Sequence, residues 1–506
     1  MKTSARRSIL LATEGTYPFY TGGVSTWCHT LTHQLPEIDF RLFAVTSNPF
    51  CERRYDLSKN VMEVIKAPLW GAMQPADYSW HQRITEVIRS KLETTDANLR
   101  RDYLPLWDCL LGRIFSDGYL DDGEEFDDLV SSLGEMHILF LTKYNYQGVW
   151  ASPAVWETFC YFASQECSGR PTETLRPTLA ELKQAYRLLY HFLSILCFPI
   201  PNADLSHSSA AGFCGLPCII AKAHMQRPYL LTEHGVYLRE QYLNLRRSVK
   251  SLFVRWLMYR TFTLIAQLNY HFADQISPVC AFNARWELEV GADPKKIKVI
   301  HNGCDPRRFH PRPAKMHDHP IVSSVGLIYE LKGQLDLIEA AHEVRKTIPD
   351  VEFRIYGLPS DQTYYAQCLE KVKHYRLQQT VFFKGSTQNP CQVYSEADVT
   401  AFSSISEAFP YVVVEAMLSG AAIVSTDVGG VREALDTTGV LVRPRAPCDL
   451  AQAIVMLIES PKERHRLGER AMARATSKFT EDVFLENYRK SYDDLVNVHV
   501  GRRSAA

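Results

Sequence analysis

The 506-residue chain contains no run of about 18 apolar residues, so no segment has the hydropathy needed to span a bilayer. "ILLA", the apolar run that follows Lys2, Arg6 and Arg7, is too short for a signal peptide, and the cytoplasm is the expected compartment. There is no CxxC pair among the thirteen cysteines. The tightest spacing, Cys214 and Cys218 in "CGLPC", has no His cluster of ligand spacing beside it, so reduced core thiols are expected rather than a metal site. Neither charge is in excess: 56 Lys plus Arg stand against 57 Asp plus Glu, which removes nucleic acid as an expected partner. No GxGxxG follows the first strand-like run, which argues against an NAD-dependent dehydrogenase. Repeats and low-complexity tracts are also absent.

What is present fits a large globular protein. The chain is 46% hydrophobic and 22% charged, and its length suits two or more domains with sizeable cores. It opens as strand, loop, helix, strand: "RSILLATEG", "TYPFYTGGV", "STWCHTLTHQL" and "FRLFAVTS". That order predicts an α/β fold with a doubly wound parallel sheet. Residues 72–200 lean to helix and are locally acidic ("DGYLDDGEEFDDL"), which predicts a helical insertion in the first domain. Strand-like runs return at "ADLSHSS", "RPYLLTEHG", "ADQISPV" and "IKVIHNG".

"CDPRRFHPRPAKMHDHP", Cys304 to Pro320, has four prolines and no apolar periodicity, and reads as an interdomain linker. Strands and helices alternate again after it, from "IVSSVG" to "GVLVRP", as in a second Rossmann-like domain. The expected domains are 1–305 and 306–480, with a ligand-binding cleft between them. The remaining helix, 481–506, is expected to pack back on the first domain. "SLFVRWLMYRTFTLIAQLNYHF", Ser251 to Phe272, has two readings: a core-facing helix, or a docking surface for a membrane-bound partner.

In "SEAFPYVVVEAMLSG", Ser406 to Gly420, two glutamates lie eight positions apart around a proline. Pro410 and Gly420 bracket a helix, predicted over 410–419. Glu407 then lies on the loop before that helix and Glu415 inside it. A helix N-terminus suits a phosphate, with the amides of Tyr411, Val412 and Val413 as candidate donors. On pattern alone, Glu407 reads equally as a capping acid and Glu415 as a paired core carboxylate.

This segment resembles the signature of family 4 of the retaining glycosyltransferases, a GT-B group that uses nucleotide sugars. The resemblance implies that Glu407 lies by the donor sugar and that Glu415 accepts from the ribose hydroxyls, with Phe409 among the nucleotide-sugar contacts. "GLIYELKG" is similar to the element that holds the diphosphate. Lys332 matches its lysine, but Leu327 stands where an arginine is usual, so a bidentate phosphate contact is missing. Gly22 and Gly23 match a glycine pair that lets backbone approach the phosphates. His234 in "LTEHGVYLRE" matches a histidine that contacts the donor sugar. Asn302 and Gly303 match the hinge element, and Gly357, Lys384 and Gly385 the region framing the base. The "TEGTYPFYTGGVSTW" and "LTEHGVYLRE" segments, with the insertion, are similar to the PelF-like subgroup of Pel-type exopolysaccharide synthesis.

The resemblance implies a UDP-sugar donor, a glycan acceptor approaching from the first domain, and a cleft that closes to exclude water. Catalysis would rest on Glu407, Lys332 and His234, with no metal and no cofactor beyond the donor. A membrane-bound polysaccharide synthesis or export complex is the further partner implied, which would place the protein peripherally at the inner face of the membrane. The alternative is a non-catalytic sugar-nucleotide-binding subunit of a synthase complex, for which Leu327 speaks.

Overall fold

The computed structural model describes residues 6–505, apart from 73, 76–82, 117, 119, 121–122, 169–175 and 313–316. They divide into two compact units: 1–278 with 284–298 and 490–506, and 279–283 with 299–489.

The first unit holds a parallel sheet of β1 (Arg7–Glu14), β2 (Ile38–Thr46), β3 (Val61–Pro68), β4 (Leu205–Ser208), β5 (Tyr229–Glu233) and β6 (Gln275–Pro278). Its order is β3-β2-β1-β4-β5-β6. β1 and β4 are apolar runs or fully buried segments, as a sheet covered on both faces requires. β3 has no counterpart among the strands read from sequence. It lies at the sheet edge and stays half-exposed over most of its length, so its apolar pattern is weak. "IKVIHNG" forms no strand; only Ile297 bridges to Ile276.

Between β3 and β4 the insertion is helical, including Leu104–Phe115, Gly123–Thr142 and Leu179–Leu193. Trp107, Leu133 and Phe159 share one apolar cluster with Leu10 and Phe43 of the sheet, so the insertion belongs to the same core. The helix Leu252–Phe272 enters that cluster through Phe253, Leu257, Phe262 and Tyr270. These apolar side chains face inward, which corrects the docking-surface reading of Ser251–Phe272.

The second unit repeats the same winding in β7 (Ile321–Val325), β8 (Glu352–Tyr356), β9 (Val381–Gly385), β10 (Val399–Phe402), β11 (Ile423–Thr426) and β12 (Val440–Val442), ordered β12-β11-β10-β7-β8-β9. In both sheets the order reverses once, between β1 and β4 and between β7 and β10. Ligands of such sheets bind at that reversal, outside the carboxyl ends of the strands.

The stretch expected to be a linker is built into the second unit where it is described. Cys304 bridges to Thr480, Phe309 lies in an apolar cluster with Phe409 and Met417, and the Arg312 amide donates to Ser395. Part of it, 313–316, falls outside the described residues. The last helix, Glu481–Ala505, joins the first unit from Lys490 onward. There Arg7 pairs with Asp493, His207 meets the Tyr492 hydroxyl at 2.9 Å, and Gln275 donates to Ser491 at 3.0 Å. No described helix is long and apolar enough to cross a membrane.

Candidate functional site

In the second unit, the loops leaving β7 and β10 meet at the sheet's reversal. After β7 the chain passes a short turn, Glu330–Lys332, and Gly333 opens the helix Gln334–Thr347. Gly333 has φ +64°, and a Cβ there would lie 2.1 Å from the Ser403 carbonyl oxygen, so only glycine fits. This close approach brings the two loops together. Lys332 Nζ lies 2.5 Å from Glu407 Oε1, and Ser404 donates to the same oxygen at 2.6 Å. Both charges are largely out of water, at 20% and 11% side-chain exposure. Burial opposes the Lys332 charge, but the Glu407 carboxylate outweighs it and raises the ammonium's pKa. The resemblance assigned Lys332 to diphosphate and Glu407 to sugar. The structure joins the two as an ion pair.

The predicted helix 410–419 is observed over Tyr411–Leu418, with Pro410 as N-cap and Gly420 beyond its end at φ +73°. Of the three candidate amides, that of Val413 donates to the Pro410 carbonyl at 3.2 Å and leaves the set. Glu415 is not a fully paired core carboxylate. Tyr394 donates to its Oε2 at 3.2 Å, while burial pushes the carboxyl up to about 7. Phe409 is buried, its ring 4.8 Å from His301 and 5.2 Å from Phe479, so its side chain belongs to the core rather than to a nucleotide site. Asn302 Nδ2 donates to the Phe409 carbonyl at 3.1 Å, and a Cβ on Gly303 would lie 2.4 Å from Thr480 O. These hinge residues therefore tie the start of the second unit to its site loop and to its end.

Gly357 follows β8 and Gly385 ends β9, and the Gly357 amide donates to the Gly385 carbonyl at 2.8 Å. A Cβ on Gly357 would come within 1.8 Å of Gly326 O. The three glycines thus form one low rim at the carboxyl ends of neighbouring strands. Lys384 is engaged elsewhere: its ammonium lies 3.5 Å from Glu352 and 4.8 Å from the Phe382 ring centroid. Leu327 is 50% exposed where the resemblance looks for a guanidinium.

Sequence reasoning missed Ser404, Tyr394 and the pair Gly429–Gly430. The signal for the last lay in "TDVGGV" after β11. Gly429 has φ +56°, and a Cβ there would lie 1.8 Å from the Glu407 carbonyl oxygen, while the Gly430 amide donates to Ala408 O at 2.6 Å. Gly429→Ala is therefore expected to cost about 2 kcal/mol or more and to displace Glu407. Urea unfolding measures the first effect; an unchanged midpoint would contradict the crowding.

In the first unit, Gly22 caps the helix Gly23–Gln34 in extended conformation, and no atom of the described residues lies within 4 Å of where its Cβ would be. Packing does not demand glycine at Gly22. His234 follows β5 directly. Its ring meets Trp27 edge-on at 4.7 Å, its buried Nε2 has no hydrogen-bond partner among the described residues, and burial pushes its pKa down to about 3. It is neutral at physiological pH. Glu233 beside it accepts from the Tyr237 amide at 2.8 Å and the Tyr270 hydroxyl at 2.7 Å, which shapes the turn that carries His234.

Glu287 lies against Glu233 and is 0% exposed; burial first, and then the Glu233 charge, raise its pKa strongly. The folded protein thus holds a proton that the unfolded chain releases above about pH 4.3, so stability falls as pH rises from there. Glu287→Gln keeps a donor for Glu233 and removes this penalty. Its melting temperature should exceed the parent's by more at pH 8 than at pH 5. An equal difference at both would contradict a protonated Glu287.

Residues 7–295, more than half of the chain, match the family described as a domain of unknown function, DUF3492. The chain belongs to that family. Residues 306–474 match the Glycosyl transferases group 1 family. D-inositol 3-phosphate glycosyltransferase of Nocardia farcinica is 33% identical over 236 residues, covering 43% of this chain and 52% of the relative. The same-named protein of Paenarthrobacter aurescens is 30% identical over 234 residues, covering 41% and 54%. The chain spans about half the length of these curated relatives. Among solved structures, sucrose-phosphate synthase from Thermosynechococcus elongatus matches with TM-score 0.59 and 16% identity, over 97% of this chain and 100% of that one. HepE of Anabaena, solved in complex with UDP, matches with TM-score 0.58 and 15% identity over the same shares. These likenesses fix the fold as GT-B, with two Rossmann-like domains.

Proposed function

We propose that this protein is a retaining glycosyltransferase that moves a hexose from a UDP-sugar to a glycan acceptor in Pel-type exopolysaccharide synthesis. The observation that carries the reading is the Lys332–Glu407 pair at the reversal of the second sheet, within the group 1 domain and one loop ahead of the helix Tyr411–Leu418. The relatives named as D-inositol 3-phosphate glycosyltransferases support glycosyl transfer, and the UDP complex of HepE supports the donor class.

In this reading the nucleotide's diphosphate lies toward Lys332 and the first amides of that helix, and Glu415 takes the ribose hydroxyls. The bond from the sugar's anomeric carbon to phosphate oxygen breaks, the acceptor oxygen attacks from the same face, and its proton passes to the leaving phosphate. Cationic Lys332 and the helix amides stabilise the charge that grows on the diphosphate, so no metal is required. Glu407 orients the sugar and supports the positive charge developing on it. His234, neutral, offers a hydrogen bond to the sugar, and Gly22–Gly23 leave room for backbone to approach the phosphates.

Leu327 favours a second reading, a sugar-nucleotide-binding subunit without turnover. Release of UDP from UDP-glucose, with a glycan acceptor or slowly with water, separates the two. The enzyme releases UDP; the binding subunit retains the sugar nucleotide intact.

A further inference from the structure

The loops leaving β1 and β2 carry a feature that the donor chemistry does not use. They are knitted together at the sheet's carboxyl edge: the Tyr20 hydroxyl lies 2.6 Å from Ser47 Oγ, and the Arg54 amide donates to Pro18 O at 2.9 Å. Beyond these ties, residues 53–57 line a cavity of about 440 Å³ with two arginines, a tyrosine, an aspartate and a leucine. Tyr55 anchors that stretch, its ring 5.5 Å from Tyr17 and 5.2 Å from His29. Neither the Arg53 nor the Arg54 guanidinium has an ion-pair partner among the described residues. Among the lining residues Asp56 offsets one of the two charges, and Glu52, next to Arg53 in the chain, lies outside the lining.

We propose that this cavity is an anion subsite, in which Arg53 and Arg54 hold the phosphate or carboxylate of an acidic sugar acceptor. The volume suits a monosaccharide-sized group. Guanidinium forks match the paired oxygens of either anion and are less hydrated than ammonium groups, so two of them on an anchored loop favour an oxyanion over a neutral sugar. The loop's place at the carboxyl edge of the first sheet, beside the switch between β1 and β4, is where such folds bind ligands. This inference rests on the glycosyltransferase reading for the role of the bound sugar, but not for the binding itself.

The test uses the full chain with saturating UDP present, so that phosphate cannot report on the donor site. Glucose 6-phosphate, glucuronate and glucose are titrated in turn by saturation-transfer NMR. At least one of the anionic sugars is expected to bind saturably, at least tenfold more tightly than glucose. The tighter of the two identifies phosphate or carboxylate as the source. Arg53→Gln and Arg54→Gln should each weaken it about threefold and together about tenfold or more, with UDP binding unchanged. Absence of saturable binding of both anionic sugars to the parent chain would overturn the proposal without any variant, as would equal binding by the double variant. A parent chain that ignores UDP would instead sink the donor reading, and the loss or retention of anion binding in the arginine variants would still decide this one.

Discussion

Glu407→Ala is expected to lower UDP release from UDP-glucose about 100-fold, and Lys332→Ala by a similar factor, because each removes charge stabilisation from the transition state. The ion pair adds a condition to this expectation. With Lys332 gone, Glu407 keeps only Ser404 as a partner at Oε1 among the described residues, and a carboxylate at 11% side-chain exposure is left without its counter-charge. With Glu407 gone, Lys332 loses the carboxylate that sustains its charge against burial. The two losses therefore overlap, and the double variant should fall well short of the product of the single effects. Lys332→Arg keeps the positive charge and is expected to recover part of the rate. Steady-state assays of UDP release measure all four variants. Turnover within about threefold of the parent in either alanine variant would remove the pair from the reaction.

UDP-glucose affinity is expected to rise about tenfold between pH 6 and pH 8, with the change centred near 7. Burial holds the Glu415 carboxyl up to about 7, so at pH 6 most of the free protein is protonated there and only the ionised fraction accepts from both ribose hydroxyls. UDP-glucose itself carries no group titrating in this window, which makes it a cleaner probe than UDP. The same shift acts on stability with the opposite sign. The folded state keeps a proton that the unfolded chain releases from about pH 4.3 upward, so Glu415 costs most stability above pH 7. Glu415→Gln retains an acceptor for Tyr394 and removes the cost, gaining on the order of 2 kcal/mol at pH 8. It should also bind UDP-glucose more weakly and without the pH dependence. Calorimetric titration and denaturant unfolding report the two halves. A variant that is less stable than the parent at pH 8, or an affinity flat from pH 6 to pH 8 in the parent, would contradict the role given to Glu415.

The sequence carried the winding of the second unit well, because its buried parallel strands are short apolar runs between helices with clear periodicity. "VFFKGS", "DVTAFSS" and "AAIVSTDV" all lie on observed strands. β3 escaped because an edge strand with a half-exposed face has little pattern to detect. "IKVIHNG" misled for the opposite reason: it has strand composition, but after the single bridge at Ile297 its described residues join no ladder. The glutamates were legible as a spacing, yet Glu407's partner was not, since Lys332 lies 75 positions away and meets it only through the contact between Gly333 and Ser403. Phe409 looked like a ligand residue from its place in the motif, and proved to be packed between His301 and Phe479, neither of them near it in sequence. Lys384 was placed at the base-framing loop by its neighbour Gly385, whereas its long side chain reaches the Glu352 carboxylate. Backbone position is what motifs transmit; the direction of a long side chain depends on distant residues.

A crystal structure of the full chain with UDP-glucose tests the central claim most directly. It should place the ribose hydroxyls within hydrogen-bond reach of Glu415, the diphosphate at Lys332 and the amides of Tyr411 and Val412, and the glucose beside Glu407. A nucleotide bound elsewhere, or a Lys332–Glu407 pair left intact with no phosphate near it, would contradict the account.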